Sequence, residues 1–329
     1  MIKVGIIGYG KMGRTRHEAL SKYKDVEIVS IFEPADIISD LHQAKSATEI
    51  IEDNSIDVVY ICTPNYLNKS LTIDGLKAGK HVFCEKPPAF TSKDVQDIID
   101  AEKKSKKVLM YGFNHRHHGS IKHMKKLIDG NEFGKILWMR GRYGKSVDDA
   151  FFDNWRSKHR YSGGGILIDQ GIHMLDLFLH FGQDFDDIHA AVSTLYWKLD
   201  VEDNVFATLK NTETGLVASL HSTMTQWRHL FSIEVFLEKG YMVLNGLKTS
   251  SNSYGEEILI VAKNRSIAPA ATWEDEEHIR YHNDTSWISE AKEFFSAIKE
   301  NRKVSTGSSD DALKLMKIID KIYSYKEGK

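Results

Sequence analysis

Cysteine is nearly absent: the 329 residues hold two, Cys62 and Cys84. Each stands inside an apolar, strand-like run, which predicts buried reduced thiols and leaves no pattern for a disulfide framework or a cysteine metal site. Proline is scarce at five residues, and neither a collagen-like nor a proline-rich disordered chain fits this composition. No run approaches the ~18 consecutive apolar residues of a membrane helix. The richest, at 174–181, is interrupted by Asp176 and His180. The chain passes from Met1-Ile2-Lys3 straight into Val4-Gly5-Ile6-Ile7 without the regions of a secretory signal, so a cytoplasmic protein with no membrane partner is expected. Charge of one sign is missing too. Lys and Arg number 44 against 46 Asp and Glu, for net −2, and no global field would draw in the phosphates of a nucleic acid.

What is present is a folding chain, 41% hydrophobic and 27% charged, long enough for about two domains of ~150 residues. Up to about residue 118, apolar runs at 3–8, 26–32, 58–63, 81–85 and 107–113 alternate with helical patterns, the signature of βαβ units and a parallel sheet. The clearest helix covers 92–104, with Val95, Ile98 and Ile99 as one stripe and Ser92 as its cap. After a helix at about 120–130, β-rich runs at 188–199, 201–210, 215–227 and 231–238 read as antiparallel strands. Helices at 287–299 and 310–325 close the chain, with Thr306-Gly307-Ser308-Ser309 between them as turn and cap. The expected class is α/β. A doubly wound domain spans 1–118, and a substrate-binding α+β domain with a large, mainly antiparallel open sheet spans 119–329. Leu195, Trp197, Phe206 and Phe236 leave the second face of that sheet partly apolar, which predicts a homodimer or homotetramer formed through it.

Directly after the first run stands Gly8-Tyr9-Gly10-Lys11-Met12-Gly13, a G-x-G-x-x-G opening a helix that runs toward Tyr23. Gly8 permits a tight turn, Gly10 lets backbone approach a pyrophosphate, and Gly13 lets helix meet sheet. The N–H groups of the helix start, Lys11 and Met12 among them, face the anion. A glycine-rich turn without ligand competes with this reading, and the strand–turn–helix order weighs against it. Glu33, twenty residues past Gly13, closes the second strand where a carboxylate accepts from the adenosine ribose hydroxyls of a Rossmann dinucleotide domain. Nothing basic follows in Pro34-Ala35-Asp36 to meet a 2′-phosphate, which favours NAD over NADP. The bland alternative for Glu33 is a solvated strand-end acid.

Two further segments stand out: Glu85-Lys86-Pro87, and the stretch from Gly163-Gly164-Gly165 through Asp169 and His173 to Asp176. Together with the glycine turn they resemble the Gfo/Idh/MocA oxidoreductases, relatives of glucose–fructose oxidoreductase and inositol dehydrogenase, and the likeness runs from the first strand to the last helix. It implies NAD-dependent interconversion of a secondary alcohol and a ketone on a sugar, cyclitol, uronate or nucleotide sugar, with Lys86, Asp169 and His173 as the catalytic group. It also places Thr63-Pro64-Asn65 beside the nicotinamide ribose and Glu85 at the cofactor. Asn114-His115-Arg116 resembles the family's Asn-x-Arg, which gives Arg116 to cofactor or substrate, and Trp155-Arg156 resembles a Trp-Arg pair that precedes the glycines. The family commonly has a histidine where Asn68 stands.

The residues carry a physical argument beside that resemblance. Lys86 lies at the carboxyl end of a parallel strand, where open sheets bind ligands. Asp169, His173 and Asp176, at i, i+4 and i+7, share one face of a helix. An imidazole with an ordinary pKa of about 6.5 suits proton transfer near neutral pH, and an ammonium near 10.4 suits polarising a substrate oxygen. Asp169 orients His173 or bonds a sugar hydroxyl; Asp176 is read as structural. Taken alone, a helical histidine between apolar residues is more often a satisfied core group, and the resemblance reverses that preference. Arg160, with Lys158 and His159, extends the patch begun by Arg156, fit for a carboxylate or pyrophosphate, or for solvent alone. His115, His117 and His118 lack a carboxylate or cysteine at a ligand spacing, and no metal is expected. Two rival functions remain: an enzyme that retains NAD for glycosidase or isomerase chemistry, and a non-catalytic dinucleotide sensor.

Overall fold

Apolar runs separated by helices lead to a parallel sheet with helical crossovers. The computed structural model, which describes residues 1–35, 38–182, 184–263 and 272–326, has one; Asp36 lies outside the described residues. Strands β1 (Ile2–Ile7), β2 (Val26–Phe32), β3 (His42–Gln43), β4 (Val58–Ile61), β5 (His81–Glu85) and β6 (Leu109–Gly112) lie in the order β3-β2-β1-β4-β5-β6, all parallel. Between them run α1 (Lys11–Leu20), α2 (Ala47–Glu52), α3 (Asn68–Lys77) and α4 (Ser92–Ser105). The order reverses between β1 and β4, the switch point at which such sheets hold ligands. β1 ends at Ile7 because Gly8 turns into the left-handed region, at φ 87°. The cap of α4 is Thr91 rather than Ser92. Thr91 is extended, its Oγ1 accepts from the Asp94 N–H at 3.2 Å, and Asp94 accepts from the Thr91 N–H in return.

Beyond Asn114, α5 (Gly119–Asp129) leads into β7 (Ile136–Ser146), and α6 (His159–Ser162) is followed by a π-helical turn (Leu167–Gly171) that runs into α7 (Ile172–Phe181). With β7, the strands β8 (Asp187–Ser193), β9 (Asn204–Lys210), β10 (Val217–Thr223), β11 (Thr225–Leu237), β12 (Gly240–Asn245), β13 (Glu257–Lys263) and β14 (Glu277–Tyr281) form an eight-stranded sheet. Its order is β14-β13-β12-β11-β7-β10-β9-β8, antiparallel except between β7 and β10. Helix α7 packs on one face, where Gly141 admits it: a Cβ there would lie 2.4 Å from the Met174 side chain. On the opposite face Trp138, Phe236 and Tyr241 stack across three strands at 4.1 and 5.0 Å, and Phe206, 51% exposed, stacks on His221.

Several strand limits differ from the expectation, for local reasons. β8 stops at Ser193 and β9 starts at Asn204 because the Asp203 carboxylate accepts the N–H groups of Leu195, Tyr196 and Trp197 at 2.8–2.9 Å, curling that segment out of the ladder. The run at 215–227 is two strands broken at Met224, whose N–H goes to the Asp203 carbonyl; Trp227 thus belongs to β11.

The chain ends with α8 (Ser286–Lys299) and α9 (Ser309–Tyr323). Met1–Asn114 and Ser286–Lys317 make one packed unit, and His115–Thr285 and Ile318–Lys329 the other. In the first, Phe294 of α8 meets Tyr60 and Phe83 edge-on at 5.8 and 5.6 Å, and those two rings stack on each other at 4.6 Å. No helix among the described residues is long and apolar enough to cross a membrane.

Candidate active site

In the first unit, β1 delivers the chain into the glycine turn. A Cβ on Gly8 would lie 2.6 Å from the Cys62 carbonyl oxygen, and one on Gly13 would lie 2.1 Å from the Gly8 oxygen, so both positions exclude side chains. Gly10 differs. The nearest atom to a Cβ there is Glu33 Oε2 at 4.0 Å, so its bareness leaves room beside the backbone. Gly10 caps α1 without a side-chain bond and the first turn carries no acid, so the N–H groups there keep their partial positive charge for an anion. Glu33 is tied to this turn, its Oε2 accepting from the Tyr9 N–H at 2.7 Å. A bare glycine, an unblocked helix start and an adjoining carboxylate fit a dinucleotide, whose pyrophosphate Gly10, Lys11 and Met12 would hold and whose ribose Glu33 would meet.

Strand β5 delivers Glu85-Lys86-Pro87, with a cis peptide between Lys86 and Pro87. Glu85, expected at the cofactor, spends its carboxylate inside the unit. Arg16 of α1, 1% exposed, gives Nε to Glu85 Oε1 at 2.6 Å and Nη1 to Glu290 of α8. The guanidinium also lies over the rings of Phe83 and Trp287, at 4.3 and 4.6 Å. Burial works against that charge, but Glu290 and Glu85 outweigh it and hold Arg16 firmly protonated. Asn68, wholly buried, donates from Nδ2 to the carbonyls of Glu85 (3.2 Å) and Pro87 (2.8 Å), and its Oδ1 accepts from Thr63 Oγ1 (3.1 Å). The Thr63-Pro64-Asn65 segment follows β4, next to β5 in the sheet. Both cysteines are free; burial pushes the Cys84 thiol up to about 12 and raises Cys62 as well.

In the second unit, Asp169 sits in the π turn and His173 in the first turn of α7, where a regular α-helix through both was expected. Such turns recur at functional sites. His173 is 4% exposed and lies face to face with His115, ring centroids 3.8 Å apart. His115 Nε2 stands 3.0 Å from the Tyr143 hydroxyl, which burial, helped by the neighbouring Tyr254, keeps far from ionising. Asp169 gathers two cations: Lys145 Nζ at 3.2 Å from Oδ2, and Arg156 Nε at 3.5 Å from Oδ1. Arg156 in turn lies 4.3 Å over the Trp155 ring, while Arg160 is exposed and leans on Tyr161. Arg116, read as a contact for cofactor or substrate, makes a two-point bond to the buried Asp176, Nε to Oδ2 at 2.8 Å and Nη2 to Oδ1 at 2.6 Å.

The triple glycine serves packing. A Cβ on Gly164 would lie 2.0 Å from the Tyr323 hydroxyl, and one on Gly165 would lie 1.9 Å from the Glu202 carbonyl oxygen. Instead of a ligand, the anion at this helix start is Glu202, whose Oε1 accepts from the N–H groups of Gly165 (2.8 Å) and Leu167 (3.1 Å) and from Tyr323 (2.9 Å). His118 is bonded to Glu257 at 3.0 Å, and among the described residues no group of three or more His, Cys, Asp or Glu is placed to hold a metal ion. Tyr143 and Lys145 were absent from the sequence reading. Alternation along β7 puts them on the face of Met139 and Gly141, turned toward α7, which is the signal that finds them.

Fold and site together define a nucleotide-binding Rossmann oxidoreductase with an appended open-sheet domain. Comparison with known families agrees: the N-terminal description "Oxidoreductase family, NAD-binding Rossmann fold" matches residues 2–113, and the GFO/IDH/MocA C-terminal domain matches 121–243. The chain belongs to the Gfo/Idh/MocA oxidoreductases. It is 36% identical to levoglucosan dehydrogenase of Pseudarthrobacter phenanthrenivorans over 147 residues, covering 44% of this chain and 38% of that protein. With myo-inositol 2-dehydrogenase of Thermotoga maritima it shares 26% over 265 residues, 76% of this chain and 77% of that one. Against D-glucoside 3-dehydrogenase of Escherichia coli (31% over 193 residues, 54% of this chain) it spans 53% of the relative's length, so the sequence likeness reaches about half, or less, of two of these curated relatives. A solved levoglucosan dehydrogenase in complex with NADH and levoglucosan superposes with a TM-score of 0.86 at 25% identity, over 98% of this chain and 96% of that one.

Proposed function

We propose that this protein is an NAD-dependent dehydrogenase that interconverts a secondary alcohol and a ketone on a sugar or cyclitol, uronates and nucleotide sugars included. The observation that carries the reading is the nucleotide turn: Gly10 bare, the helix start unblocked, and Glu33 bonded to the Tyr9 N–H beside them. Its likeness to levoglucosan and inositol dehydrogenases supports the substrate class. Glu33, whose charge repels a 2′-phosphate, supports NAD over NADP.

NAD, when bound, supplies the hydride acceptor. The chain's own residues bind, orient and move the proton. The turn at Gly8, Gly10 and Gly13, with Lys11, Met12 and Glu33, holds the adenosine end, and Thr63, Pro64 and Asn65 hold the nicotinamide ribose. His173 accepts the hydroxyl proton during oxidation and returns it during reduction, and the Lys86 ammonium polarises the substrate oxygen. Asp169, its charge balanced by Lys145 and Arg156, orients His173 or a substrate hydroxyl. Trp155, Arg156 and Arg160 favour an anionic or ring-bearing substrate. The aromatic row on the open sheet face supports a homodimer or homotetramer.

The test follows NADH absorbance with purified protein, NAD and a panel of levoglucosan, myo-inositol, uronates and nucleotide sugars. Net NADH is expected; product without it means a retained-cofactor enzyme, and neither means a sensor. Lys86→Ala and His173→Ala each cut turnover about 10²- to 10⁴-fold while NADH binding stays within about twofold. Full activity in either variant removes the role given to that residue. Light scattering that finds only monomer removes the oligomer.

A further inference from the structure

Two prolines follow Lys86, so neither Pro87 nor Pro88 has an N–H with which the turn could bond itself. The Glu85 and Pro87 carbonyls that flank Lys86 therefore need donors from elsewhere, and buried carbonyls are seldom left bare. One wholly buried side chain supplies both: Asn68 Nδ2 donates to the Glu85 oxygen at 3.2 Å and to the Pro87 oxygen at 2.8 Å, with the Cys84 thiol a weak second partner for Glu85 at 3.3 Å. The orientation of the amide is dictated, because backbone carbonyls only accept and the nitrogen must face them. Its oxygen is left to accept from Thr63 Oγ1 at 3.1 Å, in the segment that leaves β4. The Glu85–Lys86 and Pro87–Pro88 peptides, which bracket Lys86, are thus pinned to one nitrogen, and its amide is pinned to the loop after the neighbouring strand.

We infer that Asn68 is the positioning residue for Lys86, fixing the backbone from which the ammonium reaches and tying it to the nucleotide loop at Thr63. The inference rests on the reading of Lys86 as a catalytic residue. Aspartate keeps the acceptor for Thr63 but cannot donate to both carbonyls at once, and leucine fills the space and donates to neither.

The experiment takes Asn68→Leu, Asn68→Asp, Lys86→Ala and the double variant Asn68→Leu/Lys86→Ala of the full chain, assayed with the most active substrate of the panel above and by hydrogen exchange without substrate. Asn68→Leu and Asn68→Asp lose about 10- to 100-fold in kcat, with KM and the NADH dissociation constant within about twofold, since misplacement of a reacting group by an ångström costs this much. In the Lys86→Ala background the same Asn68→Leu change costs no more than about twofold, because the residue acts through a side chain already removed. Amide exchange at Glu85, Lys86 and Ala89 speeds up about tenfold or more, while the Gly8–Gly13 turn exchanges as in the wild type. Wild-type kcat in Asn68→Asp, a full-size loss in the double variant, or exchange unchanged at Lys86 each overturns the inference. Should Asn68→Leu fail to fold, Asn68→Asp and its exchange pattern decide. Wild-type turnover in Lys86→Ala overturns the catalytic reading instead, and the exchange result still tests the clamp.

Discussion

Replacing Arg16 by methionine removes the only cation from a buried group of three charges. Arg16, at 1% exposure, bonds Glu85 and Glu290, both buried, and joins three elements that the sequence keeps far apart: α1, β5 and α8. Methionine matches the volume and can lie over Phe83 and Trp287, so the packing loss is small. The charge loss is not small. Breaking a buried ion pair from one side costs about 3–5 kcal/mol, because the remaining carboxylates stay in low dielectric without a counter-charge. At about 2–4 °C per kcal/mol for a domain of this size, the melting temperature falls by roughly 6–20 °C. Thermal and urea unfolding, with the fluorescence of Trp287 as the reporter inside the first unit, measure the change. Arg16→Met/Glu85→Gln/Glu290→Gln removes the stranded charges and should recover at least half of the loss. A shift under about 1 °C in Arg16→Met, or a triple variant less stable than the single, refutes the reasoning.

Glu202 makes stability depend on pH. Burial raises its carboxyl above the usual 4.5, more than Tyr323 and the N–H groups of Gly165 and Leu167 lower it, so the folded chain holds this proton more tightly than the unfolded one. Its contribution is complete below the ordinary value and is lost as pH rises through the raised one; Glu202→Gln therefore flattens stability against pH above about 4.5 relative to the wild type, and parallel urea-midpoint curves would contradict this. Glu33→Ala breaks the bond to Tyr9 as well as the ribose contact proposed for this carboxylate. At about 1.5–3 kcal/mol for a charged hydrogen bond, NADH binding by calorimetry weakens about ten- to hundredfold and NADPH weakens less; equal losses for both cofactors would defeat the assigned preference.

The first sheet was largely legible in the sequence, whereas in the second only the runs behind β8 to β11 were read and β7, β12, β13 and β14 were not. The runs at 26–32 and 81–85 become β2 and β5 residue for residue, their β-branched and aromatic residues (Val26, Ile28, Val29, Ile31 and Phe32; Val82 and Phe83) outweighing the polar ones among them. The run at 188–199 fails because one carboxylate, Asp203, overrides β-forming residues by taking three N–H groups. Arg16 passed unnoticed among the basic residues of α1, although it shares a helical face with Gly13, Ala19 and Leu20, all buried. Asp169 and His173 are readable as a pair from their spacing, but Lys145 and Arg156, which balance Asp169, come from a strand and a short 3-10 turn (Trp155–Ser157) that no local pattern connects. The role of the triple glycine was hidden for the same reason. What forbids side chains at Gly164 and Gly165 is Tyr323 and Glu202, distant in the chain.

The place of α8 bears on how the protein is made. Phe294 covers Tyr60 and Phe83, and Glu290 completes the charges around Arg16, yet both are translated only after the entire eight-stranded sheet. As the nascent chain leaves the ribosome, its first sheet waits with an aromatic floor uncovered and a guanidinium half-answered, a state inviting chaperones and proteases. A fragment cut before Ser286 would keep the glycine turn and lose Phe294 and Glu290, so the first unit can complete its core only after the eight-stranded sheet has been synthesised.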